Sequence, residues 1–228
     1  VGVFADDTKD RFDNPRIEHM AEYFARTQGK WLGIVTTADV ADATPSAFAS
    51  HCQDRLAGAG MADEYLDESV VKANLRVLLG GGRRWFLPNS TPGSARTIEL
   101  DAELPVETAT GWSVPPGRID AARDLLADFR TAGFTYAATR AQLGAIPAET
   151  RRLLGLFTFG SMDAVLDRVL RRRGVSTVVD DFGFPDQPML DEMTGAALDV
   201  LKHNSPGFVL LVVGALIAVR PDIGFQAL

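Results

Sequence analysis

The sequence predicts an α/β fold: a largely parallel sheet with helices on both faces. Short apolar runs at 32–36, 76–79, 154–158 and 208–213 have the length and composition of buried strands. Between them lie segments with apolar residues at helical spacing, clearest at 188–203. Strands separated by helices build parallel sheets, because each return crossing places a helix on a face.

The elements follow in order. Asn14 as cap and Pro15 at the first helical position open a helix to about Gly29, with Ile17, Met20, Ala21 and Phe24 forming its apolar stripe. The strand 32–36 comes next. A second helix covers 47–55 and a third 63–72, which feeds the strand 76–79. Residues 88–116 are rich in Pro, Gly, Ser and Thr with little periodicity, and read as an excursion over the surface. A helix at 119–132 carries Ala122, Leu125, Leu126 and Phe129 on one face, followed by a short strand at 134–137 and a helical turn at 139–143. After the strand 154–158, the helix 188–203 gathers Leu190, Met193, Ala197, Val200 and Leu201 on one side. The strand 208–213 closes the order and reads as buried on both faces.

Composition bounds the function. At 228 residues and 46% apolar, a single α/β domain over 1–228 has enough material for a core. A net charge of −7 argues against a nucleic-acid partner, which needs a basic face. Arg171, Arg172 and Arg173 form the one notable basic run and read as a solvated helix end. The single cysteine, Cys52, excludes an internal disulfide and a cysteine-rich metal site, and reads as a small apolar helix residue. The first residues show neither the basic start nor the apolar run of a signal peptide. The most apolar stretch, 208–219, is about half of the roughly 20 residues a membrane span requires.

Chemistry concentrates between Gly33 and Arg55, where a strand runs into a helix through hard oxygen donors. Ligands of open α/β sheets collect at the carboxyl ends of strands. Asp42 and Thr44 are candidate ligands of a hard cation, and Arg55 a candidate clamp for an oxyanion. Each also has a plain structural reading. Thr44 before Pro45 has the form of a helix N-cap, Asp42 that of an Asx turn, and Arg55 that of a solvated arginine. A straight helix would carry Arg55 about 16 Å from Thr44 at 1.5 Å per residue, so a shared site requires the helix to break. Gly80, Gly81 and Gly82 lack the lysine and serine of a nucleotide-binding loop and read as a sharp turn. His19, His51 and His203 share no ligand spacing, and each reads as a surface or helix-end histidine.

The order Asp42-Ala-Thr-Pro45 followed by Arg55 resembles the alkaline phosphatase family, as do three later segments. These are Val77-Leu-Leu-Gly-Gly-Gly-Arg-Arg-Trp-Phe86; Gly155-Leu-Phe-Thr-Phe-Gly-Ser-Met162 with Leu166-Asp-Arg168; and the run from Pro188 to Asn204 with Gly207-Phe-Val-Leu-Leu-Val-Val-Gly214. The resemblance implies a metal-dependent phosphomonoester hydrolysis through a phosphoenzyme, with Asp42 and Thr44 at a magnesium site and Arg55 on the substrate phosphate. It further implies a zinc pair that stabilises the attacking and leaving oxygens, a periplasmic or secreted location, and a possible homodimer.

The chain departs from the family pattern at its ends. The nucleophile segment and the Gly-Asp-Gly turn with the first metal aspartate are not found, so no catalytic residue is assigned. Val213 stands where the magnesium glutamate belongs, Ala218 where a zinc aspartate belongs, and Asp222 where a zinc histidine belongs. Valine and alanine offer no ligand atom. The expectation is a truncated or degenerate alkaline phosphatase-like chain, with an incomplete fold and no turnover alone. The alternatives are a non-catalytic phosphate- or metal-binding module and a structural or interaction protein on the same scaffold. An incomplete sheet has unpaired edges, through which such a chain would associate.

Overall fold

A computed structural model of the protein describes residues 16–52, 55–96, 121–165 and 186–215. Five strands form one sheet, all parallel: β1 (Trp31–Asp39), β2 (Leu75–Gly81), β3 (Thr135–Ala137), β4 (Leu153–Leu156) and β5 (Phe208–Val213). Their spatial order is β3-β4-β2-β1-β5, so β1 and β2 are central. The α/β class with a parallel sheet is therefore as the sequence predicts. Asn14 and Pro15, residues 97–120, the segment Leu166 to Arg168, the triple arginine at 171–173, and Ala218 and Asp222 lie outside the described residues.

Helices cover both faces. On one, α1 (Met20–Gln28), α3 (Gly58–Glu64, continued by a π turn at Tyr65–Ser69 and a last turn at Val70–Lys72) and α4 (Leu125–Thr131) pack over the sheet. Leu32, Ile34, Leu75, Leu78 and Leu154 meet Tyr65, Leu125 and Phe129 there. On the other face, α5 (Arg140–Gly144) and α6 (Leu190–Leu201) bring Leu143, Met193, Ala197, Val200 and Leu201 onto Val35, Val77, Leu79 and Leu153. The apolar side expected for the 188–203 helix is thus the buried one. A Cβ on Gly33 would lie 2.6 Å from Leu201 Cδ1, so the missing side chain lets α6 close onto β1.

Several boundaries differ from expectation for local reasons. α1 starts at Met20 rather than after Pro15, because His19 caps it and the Glu22 carboxylate accepts from the His19 amide at 2.8 Å. Ile17 and Met20 are consequently exposed, and of the predicted stripe Ala21 is buried and Phe24 partly so. Gly29, in a left-handed conformation, ends the helix as predicted. The expected helix at 47–55 is replaced by the four-residue α2 (Ala43–Ser46) and a turn. Asp42, not Thr44, is its N-cap: the carboxylate accepts from the Ala43 amide at 2.7 Å.

α3 begins at Gly58, earlier than predicted, where the indole of Trp85 lies against the glycine. α4 begins at Leu125 because the Asp124 carboxylate accepts from the Ala127 amide, which leaves Ala122 exposed ahead of it. Cys52 is buried, in an irregular segment rather than a helix. β5 is not buried on both faces. It pairs with β1 alone among the described strands, and as an edge it leaves Val212 42% exposed.

Candidate phosphate and metal site

The carboxyl end of β1 is where the predicted site residues fall, and its backbone is held from several sides. β1 runs further than its apolar residues because its polar ones are satisfied locally. The Thr36 hydroxyl accepts from the Ala38 amide at 2.9 Å, and the Thr37 hydroxyl accepts from the Ala215 amide at 2.9 Å. Beyond it, Oδ1 of Asp39 accepts from the Ala41 amide at 2.9 Å, which turns the chain toward Asp42. The Tyr65 hydroxyl donates to the Val40 carbonyl at 2.7 Å and fixes the turn from below.

Asp39 anchors this end of the sheet. Its Oδ2 accepts from Arg84 Nη2 and from Trp85 Nε1, each at 2.9 Å. Burial pushes its carboxyl up from the ordinary value, and the Ala41 amide and the Arg84 charge pull against that push. Gly82 makes the approach possible. Its φ is +94°, and a Cβ there would lie 2.2 Å from Asp39 Oδ1. Of the three glycines expected to form a turn, Gly80 and Gly81 extend β2 and Gly82 alone starts the turn, which brings Arg84 and Trp85 onto Asp39.

The short α2 answers the question of Arg55. Because the helix stops after Ser46, the chain turns back, and Arg55 Nη2 donates to Asp42 Oδ1 at 2.5 Å. Asp42 and Arg55 thus share one place, both substantially exposed. Thr44 stands on the same turn, exposed, two residues from Asp42. Oδ1 of Asp42 is engaged by the Ala43 amide and Arg55; the other carboxylate oxygen and the Thr44 hydroxyl are hard donors of the kind magnesium takes. Neither 31–46 nor 208–215 contains a histidine, and Val213, paired with Thr36 at the end of β5, offers only hydrocarbon.

The three histidines divide. His203, just past α6, places its ring Nε2 3.1 Å from the Ala148 carbonyl oxygen, to which it can donate, and is a helix-end residue. His19 and His51 overturn the surface reading: they are 9% and 3% exposed, and their rings stack with centroids 4.1 Å apart. His19 does stand at a helix end, and the His51 amide donates to Glu64 of α3 at 2.6 Å. Sequence reasoning also missed Asp39, Arg84 and Trp85. A carboxylate three residues before Asp42, at the end of an apolar strand, was the available signal for the first.

Residues 13–220 match the sequence pattern of the alkaline phosphatase family. Alkaline phosphatase 4 of Bacillus subtilis (strain 168) is 29% identical over 194 residues, which covers 85% of this chain and 32% of that protein. The tissue-nonspecific alkaline phosphatase of Gallus gallus is 31% identical over 239 residues, covering 95% and 40%. Among solved structures, the alkaline phosphatase of Thermus thermophilus superposes with a TM-score of 0.61 at 28% identity, over 94% of this chain and 33% of that one. The chain spans about a third of the length of the first relatives it matches.

Proposed function

This chain belongs to the alkaline phosphatase family, and from that premise we propose that it carries the phosphate-binding arginine and part of the magnesium site of a phosphomonoesterase. Family members use metals such as magnesium and zinc, and act on phosphomonoesters. In this reading Arg55 binds the phosphate, while Asp42 and Thr44 hold magnesium. The observation that supports it most directly is the return of Arg55 onto Asp42, which sets a cationic guanidinium beside hard oxygen donors at the carboxyl end of a central strand. Magnesium bound there would supply fixed positive charge next to the phosphate.

The chain alone binds phosphate and does not turn it over. Val213 supports this part of the reading, since the end of β5 carries a side chain without a ligand atom. The domain is an alkaline phosphatase-like unit over 1–228, exported as family members are, and able to associate through the exposed edge of β5.

Two measurements test this. Inorganic phosphate raises the Tm of the wild-type chain and leaves that of Arg55→Ala unchanged. Hydrolysis of a chromogenic phosphomonoester at alkaline pH, with zinc and magnesium added, does not exceed that of Arg55→Ala. Lack of a phosphate effect on the wild type would overturn the binding reading, and turnover that disappears in Arg55→Ala would overturn the inactive one.

A further inference from the structure

A second cluster lies on the α1 and α3 face, formed from residues that the phosphate site does not use. His19 caps α1, Glu22 stands in its first turn, and His51 follows α2, four positions before Arg55. Oε2 of Glu22 is 3.6 Å from His19 Nδ1 and 3.4 Å from His51 Nε2. His51 Nε2 is also 3.2 Å from the Ile17 carbonyl oxygen. One ligand atom from each of the three side chains lies within 4.8 Å of the other two.

The state of His19 is what sets this cluster apart. Both of its ring nitrogens are buried, and no hydrogen bond of good geometry closes on either among the described residues, with the Ser50 backbone and the Glu22 amide the polar groups beside the ring. A buried polar atom left in that state costs about 1–3 kcal/mol, and native proteins rarely keep one without a ligand, water or ion to meet it.

We propose that His19, Glu22 and His51 form a structural site for a divalent transition metal of the zinc type, with the Ile17 carbonyl oxygen beside the fourth position. Two imidazoles and one carboxylate are a zinc-type donor set. Donors about 2.0–2.2 Å from a tetrahedral ion stand about 3.4 Å from one another. The spacings of 3.4 and 3.6 Å about Glu22 match that edge length. The nearby carboxylates are engaged elsewhere: Arg16 pairs with Glu64 and Glu68, and Lys72 with Glu68. Glu22 is the carboxylate that faces both rings.

Such an ion ties the start of α1 to the chain that leads into Arg55, so it fixes a segment of the phosphate site without touching phosphate. The site stands apart from the phosphatase reading, because it uses none of Asp42, Thr44 or Arg55.

The test uses the full chain, stripped with a chelator and titrated with cobalt(II), whose visible absorption reports a low-coordinate nitrogen and oxygen environment, and then with zinc as competitor. The expected result is one equivalent of cobalt bound with a strong visible band, displaced by zinc, and a zinc-dependent rise in Tm. His19→Gln and Glu22→Gln each weaken the binding that gives the strong band at least tenfold, while Asp199→Ala, on the exposed side of α6, leaves it unchanged. His19 lies at a helix start, so circular dichroism of each variant separates lost binding from lost folding, and Glu22→Gln serves if His19→Gln does not fold. A folded wild type that gives no band, a band indifferent to His19→Gln and Glu22→Gln, or one lost in Asp199→Ala would each overturn the site.

Discussion

Nη2 of Arg55 lies 2.5 Å from Oδ1 of Asp42, thirteen residues earlier, because α2 ends after a single turn. The Arg55 side chain is 64% exposed and that of Asp42 41%. An ion pair of this exposure contributes at most about 1 kcal/mol. Arg55→Ala therefore keeps the unfolding free energy within about 1 kcal/mol of the wild type. It loses the stabilisation by phosphate, which in the wild type reaches about 1.4 kcal/mol at ten times the dissociation constant. Urea unfolding with and without phosphate reads both quantities.

Asp39 behaves in the opposite way, because it is buried and satisfies three donors. Asp39→Ala leaves Trp85 Nε1 and the Ala41 amide without their acceptor and removes the partner of Arg84. The expected loss is about 2–3 kcal/mol in urea unfolding. Tryptophan fluorescence should change with it, since Trp85 loses its anchored indole nitrogen.

Gly82 and Asp39 should be coupled. At φ +94° an alanine is strained, and its Cβ would meet Asp39 Oδ1. Gly82→Ala is expected to cost about 2–3 kcal/mol. Combined with Asp39→Ala, it should cost clearly less than the sum, because the second change removes the atom that the first collides with. Strict additivity in a double-mutant cycle would show that strain at φ, not the contact, sets the cost.

These cases show what the sequence discloses and what it hides. The apolar runs of β1, β2 and β4, the stripe from Met193 to Leu201 and the stop at Gly29 are legible, because each depends on local periodicity or on one residue's conformation. The family motif likewise marks Asp42, Thr44 and Arg55, since their spacing is linear. The side-chain partners of Asp39 come from the turn after β2, and the stacking of His19 on His51 joins the start of α1 to the chain after α2. No local pattern encodes either. The end of α2 is intermediate: the need for a break before Arg55 is readable, but that Asp42 rather than Thr44 caps the helix depends on the Asp39 turn.

Arg96 and Asp63 provide a test of a buried pair. Arg96 donates from Nη1 and Nη2 to the two carboxylate oxygens of Asp63 at 2.9 and 2.8 Å, and neither side chain is exposed. Burial pushes Asp63 up to about 7, against the pull of Arg96 and Arg123. Removing one member leaves a charge in the interior, so Asp63→Ala should cost about 3–5 kcal/mol. Asp63→Leu with Arg96→Met should lose less than the single change, because it removes both charges together. A double variant as unstable as Asp63→Ala would mean that packing, not charge, holds this corner.

The edge of β5 bears on association. Every residue from Phe208 to Val213 keeps some exposure, and among the described strands only β1 pairs with it. An unprotected apolar edge pairs with other chains, and one lysine on it opposes such pairing. Val212 is exposed enough that Val212→Lys should change stability by no more than about 0.5 kcal/mol. Sedimentation velocity over a concentration series up to about 100 µM should then show association in the wild type and less of it in the variant. A wild type that stays monomeric across the series would mean the β5 edge is covered in the whole chain. Equal association of the two proteins would place the contact elsewhere on the surface.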